Sequence, residues 1–309
     1  MKVLAAEQKR LSTPCETSPA PGVTPGTTPG TTPGGISGSA LSQTGEYMPA
    51  YVTAPPVYVT RVRVARTLEE VRLSWQLGYE VYLATGLIDA NPYQMHTSMQ
   101  MVQSGAVVLQ RMYNRRVEAT LSAVADGVEG LPLDAVYRRE LDLLRLNGRK
   151  LVEVGQFAHR WRGHWADQDA PPAGDRGAVR MAQKALTELT GYAFAYGLSI
   201  GATDFVIGVH PRHSRFYQHA WGFMRVGEMH SYPSVNHRPV VLLCGDWRAA
   251  MHYQPIPFAL HQLMHHPIDT GIYQQRYNFD SLELSGTDLD AYLRWKVWAH
   301  QAGQRQLSA

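Results

Sequence analysis

Cysteine, long apolar runs and charge of one sign are all scarce in this 309-residue chain, and each scarcity excludes something. The two cysteines, Cys15 and Cys244, lie far apart in unlike contexts, so no disulfide framework is expected and a reducing cytoplasm is the expected compartment. No apolar stretch reaches the ~18 residues that a membrane helix needs. The opening MKVLAAEQKR has no apolar segment of signal-peptide type, so no secretory signal is expected. Lys and Arg number 29 against 26 Asp and Glu, and this balance does not suggest a dedicated nucleic-acid binder. There is no phosphate-cradling P-loop and no nucleophile-elbow serine motif. His261, His265 and His266 share a helical spacing, but no carboxylate motif accompanies them, and no metal is assigned.

What is present divides the chain in three. Residues 1–50 hold a Pro/Thr/Gly-rich leader with the repeat TPGTTPGTTPGG, which carries too little apolar surface to order itself and is expected to be disordered. Residues 57–246 alternate strand and helix signals. VYVTRVRVA reads as a half-buried strand. Thr67-Leu-Glu-Glu70 reads as a capping box that opens a helix to about Thr85. AVVLQRMY, the turn Asn114-Arg115 and RVEATLSAVADG form an expected hairpin. A helix is expected over Asp134–Asn147, stopped by Gly148. The strand KLVEVGQFA follows, then a long helix over about Arg176–Tyr196. TDFVIGV is almost wholly apolar, as suits a central strand covered on both faces. A short helix and the strands MRVGEMHSY and PVVLLCG complete the set. This order predicts one mixed α/β layer domain. Residues 247–309 are expected to form a mostly helical extension.

Two positions stand out chemically. Glu153 falls in mid-strand among Leu151, Val152 and Val154, where a carboxylate is costly unless it has a partner or a task. Desolvation there would raise its pKa toward the range of a general base, although a pairing with an arginine across the sheet would also account for it. The second is HPRHSRFYQHAWGF, where Pro211 ends a strand, Phe216 is expected to face the core, and Tyr217 stands at the strand–helix junction.

The element order resembles that of the GNAT acyltransferases. Within it, LVEVGQFA, FVIGVHPRHSRFYQHAWGF and VGEMHSYPSVNHRPVVLL look like the long-chain N-acyl amino acid synthases, whose fold is similar to that of autoinducer synthases. The resemblance covers about residues 60–245. It implies a GNAT-like mixed sheet flanked by helices and an acyltransferase moving a long-chain fatty acyl group from a thioester to an amino-acid amine. It further implies Glu153 as base, backbone N–H near Phe157 or Ala158 as oxyanion donor, and Tyr217 as proton donor to the departing thiolate. His213 and Arg215 lie on one turn as candidate substrate-binding residues, where Arg215 could grip the acceptor carboxylate or a donor phosphate or be a solvated surface residue, and Tyr232, Ser234 and Asn236 read as a pocket rim or a rigid connector.

The donor segment departs from the GNAT pattern. Arg160-Trp-Arg162-Gly163-His-Trp165 keeps Arg160 and Gly163 but ends in Trp165, which hinders close approach of the backbone to a pyrophosphate. That favours acyl carrier protein as donor and partner, met by Arg160, Arg162, Gly163, Arg176 and Arg180. Acyl-phosphopantetheine or acyl-CoA is then a co-substrate, and no permanently bound cofactor is expected. Peripheral membrane contact through the lipid product is a further expectation. An autoinducer-like or generic GNAT acyltransferase using acyl-CoA, and a non-catalytic acyl-binding or carrier-docking module, are the competing readings.

Overall fold

The structure is a computed structural model, and it describes residues 60–160, 175–247, 268–281 and 289–296, excluding the side chains of Thr60, Asp175, Arg176 and Ser281. The chain divides into two units, Met1–Thr53 and Ala54–Ala309, and the first lies outside the described residues. The expected leader and His261, His265 and His266 therefore lie outside them too.

Seven strands form one sheet: β1 (Thr60–Val64), β2 (Ala106–Tyr113), β3 (Arg116–Ala125), β4 (Leu151–His159), β5 (Asp204–Val209), β6 (Met224–Tyr232) and β7 (Arg238–Asp246). Their order is β1-β2-β3-β4-β5-β7-β6. The β4–β5 pair is parallel and every other neighbouring pair is antiparallel. Four helices accompany the sheet: α1 (Leu68–Ala84), α2 (Asp134–Leu146), α3 (Asp175–Ser199) and α4 (Ser214–Trp221). A fifth, α5, occupies 289–296. Among the described residues, no helix is long and apolar enough to cross a membrane.

Local chemistry sets most of these boundaries. The Thr67 side chain accepts from the Glu70 N–H at 3.2 Å, and the Glu70 carboxylate accepts from the N–H of Arg66, one residue before the cap. The β2–β3 turn uses φ of 46° at Asn114 and 65° at Arg115, the left-handed pair that matches the twist of a two-residue hairpin. Gly148, at φ 69°, closes α2 where the sequence places the stop.

The sheet buries both faces. Ala185, Leu189, Ala193 and Phe194 of α3 pack against Leu109, Leu121, Val152, Phe205 and Ile207. On the other face, Trp75 of α1 and Tyr137 and Leu141 of α2 cover Val124, Leu151, Val206 and Leu242. Leu289, Tyr292 and Leu293 of α5 belong to this second core, so the described part of the C-terminal extension is packed into the sheet domain. Strand β5 has the expected two-sided burial, Phe205 and Ile207 on one face and Val206 on the other. Under α3, the buried Arg111 pairs with Glu118 and, at 2.7 Å, with Glu188.

What positions the site is a break in the sheet. The parallel pairing of β4 with β5 runs from Leu151–Asp204 to Glu153–Val206 and then stops. Three residues on, Gln156 adopts φ 53°, and the β3–β4 register shifts between Thr120 and Ser122. This bulge bends β4 away from β5, which continues alone against β7. A wedge opens at the last paired residue of β4, and that residue is Glu153.

Candidate active site

Glu153 is 7% exposed and on the α1/α2 side of the sheet. Its Oε2 accepts from the backbone N–H of Leu133 at 2.9 Å. Leu133 is the N-cap of α2, so the carboxylate faces the positive end of that helix. Burial nevertheless dominates and pushes the carboxyl up to about 8; the Leu133 N–H opposes the rise, while Asp134 and Asp126 add to it. Among the described residues no arginine pairs with Glu153, so the cross-sheet ion pair that would explain it structurally is not found there.

Tyr232, at the end of β6, donates through its hydroxyl to the Pro132 carbonyl at 3.3 Å. Burial raises its phenol, and the nearby Glu153 adds to the rise. Tyr217 lies on α4, packed at the edge of the α3-side core, and burial pushes its phenol up to about 12. Two side chains without a sequence-level role complete the group. Burial raises the Tyr82 phenol, and Tyr217 adds to that. His96 lies against Tyr82 with ring centroids 4.6 Å apart, and burial, helped by Lys296, lowers it to about 3. Tyr232 is thus close enough to interact with both Glu153 and Tyr82, and Tyr82 with Tyr217, while burial keeps all three phenols protonated at neutral pH.

The four residues Gln218-His219-Ala220-Trp221 between Tyr217 and Gly222-Phe223 are closed off at the C-terminal end of α4. The Gly222 N–H donates to the carbonyls of Gln218 and Tyr217, and the Phe223 N–H reaches the Tyr217 carbonyl at 3.4 Å. This wide closure keeps Tyr217 and Trp221 on the inner face. Phe216 is consequently half-buried rather than in the core, and Trp221 and Phe223 fill the place expected for it.

The Arg160 N–H donates to the Glu118 carbonyl on β3 at 2.8 Å. Of the two expected oxyanion donors, Ala158 pairs with Thr120 of β3, and Phe157 lies in the bulge between the paired residues Gly155 and Ala158, where β4 leaves β5.

The other expected residues lie further out. Arg160 pairs with Glu80 of α1 at 3.1 Å. Arg180 is exposed on α3. Arg215 is exposed, and His213, also exposed, receives a bond from the Arg212 Nε at 3.0 Å. Ser234 is exposed beside Tyr232, and Asn236, at φ 49°, donates to Asp89 at 3.2 Å. Arg162, Gly163, Trp165 and the Arg176 side chain lie outside the described residues. No group of His, Cys, Asp and Glu suited to a metal occurs among the described residues. Tyr82 and His96 were missed because the first reads as one more aromatic on an amphipathic helix and the second falls in an irregular segment without a motif.

A family model described as N-acyl amino acid synthase FeeM matches residues 74–168 and 173–246. The structure of FeeM, an N-acyl amino acid synthase from uncultured soil microbes, superposes with a TM-score of 0.50 at 22% identity. It covers 62% of this chain and 94% of that one, and it establishes the fold. A CoA-dependent acyl-homoserine lactone synthase, BjaI with MTA, is 12% identical, covers 68% of this chain and 91% of its own, and has a TM-score of 0.44. An acyl-CoA N-acyltransferase from Pseudomonas aeruginosa is 13% identical over 61% of this chain and 99% of its own, with a TM-score of 0.35. No curated protein matches the chain.

Proposed function

The chain belongs to the N-acyl amino acid synthase FeeM family, and on that premise we propose that this acyltransferase moves a long-chain fatty acyl group from acyl carrier protein to the amine of an amino acid. The observation that carries the reading is Glu153, a buried carboxylate at the point where β4 and β5 part, with the buried Tyr232 phenol near it.

The chemistry follows from these groups. The acceptor arrives as an ammonium and must lose a proton before its nitrogen can attack. Glu153, ionising near pH 8, takes that proton directly or through one water. The nitrogen adds to the thioester carbonyl, and the oxygen that becomes negative meets backbone N–H at Phe157 or Ala158. Collapse breaks the C–S bond. Tyr217 holds its proton to about pH 12, so it serves as a hydrogen-bond donor to the departing thiolate. As the C–S bond breaks, the nitrogen's second proton passes to the thiolate through the Tyr217 hydroxyl or a water, so the products are an amide and a thiol, and Glu153 then releases its proton to solvent.

Acyl carrier protein is favoured as donor by Trp165 in the phosphate-binding segment, together with exposed Arg180 on α3, which would meet an acidic carrier surface. The test supplies purified enzyme with matched acyl carrier protein and acyl-CoA and a panel of amino acids, with products read by mass spectrometry. N-acyl amino acids formed faster from the carrier protein, with a kcat/KM that falls steeply with salt and on Arg180→Glu, support the proposal. Equal or better kcat/KM with acyl-CoA overturns the carrier assignment, and the absence of any N-acyl amino acid overturns the reaction.

A further inference from the structure

The amino acid proposed as acceptor brings a carboxylate, and among the described residues none of the arginines near the junction is placed deep enough to receive it. Arg215 and Arg212 are exposed, and Arg160 is engaged with Glu80. One cation does approach the site from inside. Lys296, on α5, donates its ammonium to the Thr97 carbonyl and stands over the Tyr292 ring at 5.8 Å from the centroid. It is near enough to His96 to affect that ring's protonation, and His96 packs directly on Tyr82.

Four observations make this an unfinished ion site. Among the described residues, no carboxylate pairs with Lys296. An ammonium has three donors, and only one is used there. Desolvation with no compensating anion pulls its pKa to about 8. Thr97 itself is 0% exposed, and its Oγ1 is buried without a hydrogen-bond partner. A buried hydroxyl without a partner and a desolvated ammonium bonded to the same residue's carbonyl are each costly, and a carboxylate would satisfy both.

The segment is also rigidly held. The Tyr292 hydroxyl donates to the Thr97 carbonyl at 3.2 Å and accepts from the Thr97 N–H at 3.1 Å. Tyr93 contacts both Tyr292 and Trp295 edge-on or tilted. The extension thus fixes the geometry of 93–97, the stretch that carries His96 to Tyr82. Lys296 lies beyond the residues matched by the family model, which end at 246.

We propose that Lys296 and the Thr97 hydroxyl form the subsite for the acceptor's carboxylate, so that the C-terminal extension completes the amino-acid site. This rests on the acyl-transfer reading above. It assigns to α5 a direct role in choosing amino acids over simple amines, because an uncharged acceptor would leave the ammonium unpaired.

Product analogues test this without turnover. N-dodecanoyl derivatives of glycine, leucine and phenylalanine, and their methyl esters, are titrated into the full-length protein by calorimetry. Wild type should bind at least one acid tighter than its ester by about tenfold or more, the worth of one charge-assisted hydrogen bond. Lys296→Met should erase that preference and Lys296→Arg should retain most of it. Thr97→Val, which keeps the side-chain volume, should weaken acid binding several-fold without lowering Tm. Equal binding of acid and ester by wild type, or no binding of any probe, overturns the subsite. So does an intact preference in folded Lys296→Met or, if that variant does not fold, in Thr97→Val. A Lys296-dependent preference in a protein that makes no N-acyl amino acid would instead overturn the acyl-transfer reading and leave the carboxylate subsite standing.

Discussion

Leu133 and Glu153 are joined by a 2.9 Å hydrogen bond from backbone amide to carboxylate, and the carbonyl one residue earlier, at Pro132, accepts from Tyr232. The dipeptide before α2 is thus gripped on one side by the candidate base and on the other by a phenol from β6. It ties the helix, the central strand and the sheet edge to one point, and it fixes which way the Glu153 carboxylate faces.

Replacing Glu153 by Gln should keep this hydrogen bond, since the amide oxygen still accepts from Leu133. Loss of the base should lower kcat by about 10²–10⁴-fold. In wild type, kcat/KM should rise with pH through an apparent pKa near 8 as the carboxylate forms. Steady-state rates across pH 6–10 check both points. A wild-type profile that the variant reproduces at equal rate would remove Glu153 from the reaction.

The same substitution should act on stability with a defined sign. The folded carboxyl, at about 8, lies above its ordinary value of 4.5. Wild type is therefore most favoured when Glu153 is protonated, below about pH 4.5, and loses stability as pH rises toward 8. Glu153→Gln escapes that loss. Its Tm relative to wild type should climb between pH 4.5 and 8 and level off above, as differential scanning fluorimetry at a series of pH values would show. A constant difference would mean that Glu153 is not a desolvated carboxyl.

Tyr217→Phe preserves the ring that packs at the edge of the α3-side core and removes only the donor. Tm should change little, while kcat with alkyl thioesters should fall by about 10²-fold, the low end for a positioned proton donor. Aryl thioesters, whose thiolates leave without help, should show a smaller loss. Equal losses for both thioester types would place Tyr217 in binding rather than in leaving-group departure.

Arg111, 2% exposed, holds two carboxylates under α3. Arg111→Met should cost about 3–5 kcal/mol, because it leaves Glu118 buried without its cation. Adding Glu118→Gln should recover much of that in urea unfolding. Full stability in the single variant would show that water or His159, 3.6 Å from Glu118, takes over the pairing.

Much of the architecture is local information. The Thr67 cap, the Asn114-Arg115 turn and Gly148 are short-range signals, and the two-sided apolar run of β5 can be read without knowing its neighbours. Glu153 was legible for a related reason: a carboxylate amid a strand's apolar residues conflicts with its surroundings at the level of sequence. The path of β4 beyond it was not. The bulge at Gln156 arises from the register of β4 against β3, a pairing between residues more than thirty positions apart. That bend puts Phe157 in the bulge and leaves Ala158 paired with Thr120 of β3. The cluster of Tyr82, His96 and Lys296 is equally non-local, since a helix, an irregular loop and the C-terminal extension each contribute one member. Periodicity shows that a side chain is buried, but only packing determines which distant group it is buried against. Residue types and strand order set the reaction class that this chain can support, and the tertiary structure decided which side chains share the low-dielectric space where that chemistry would take place.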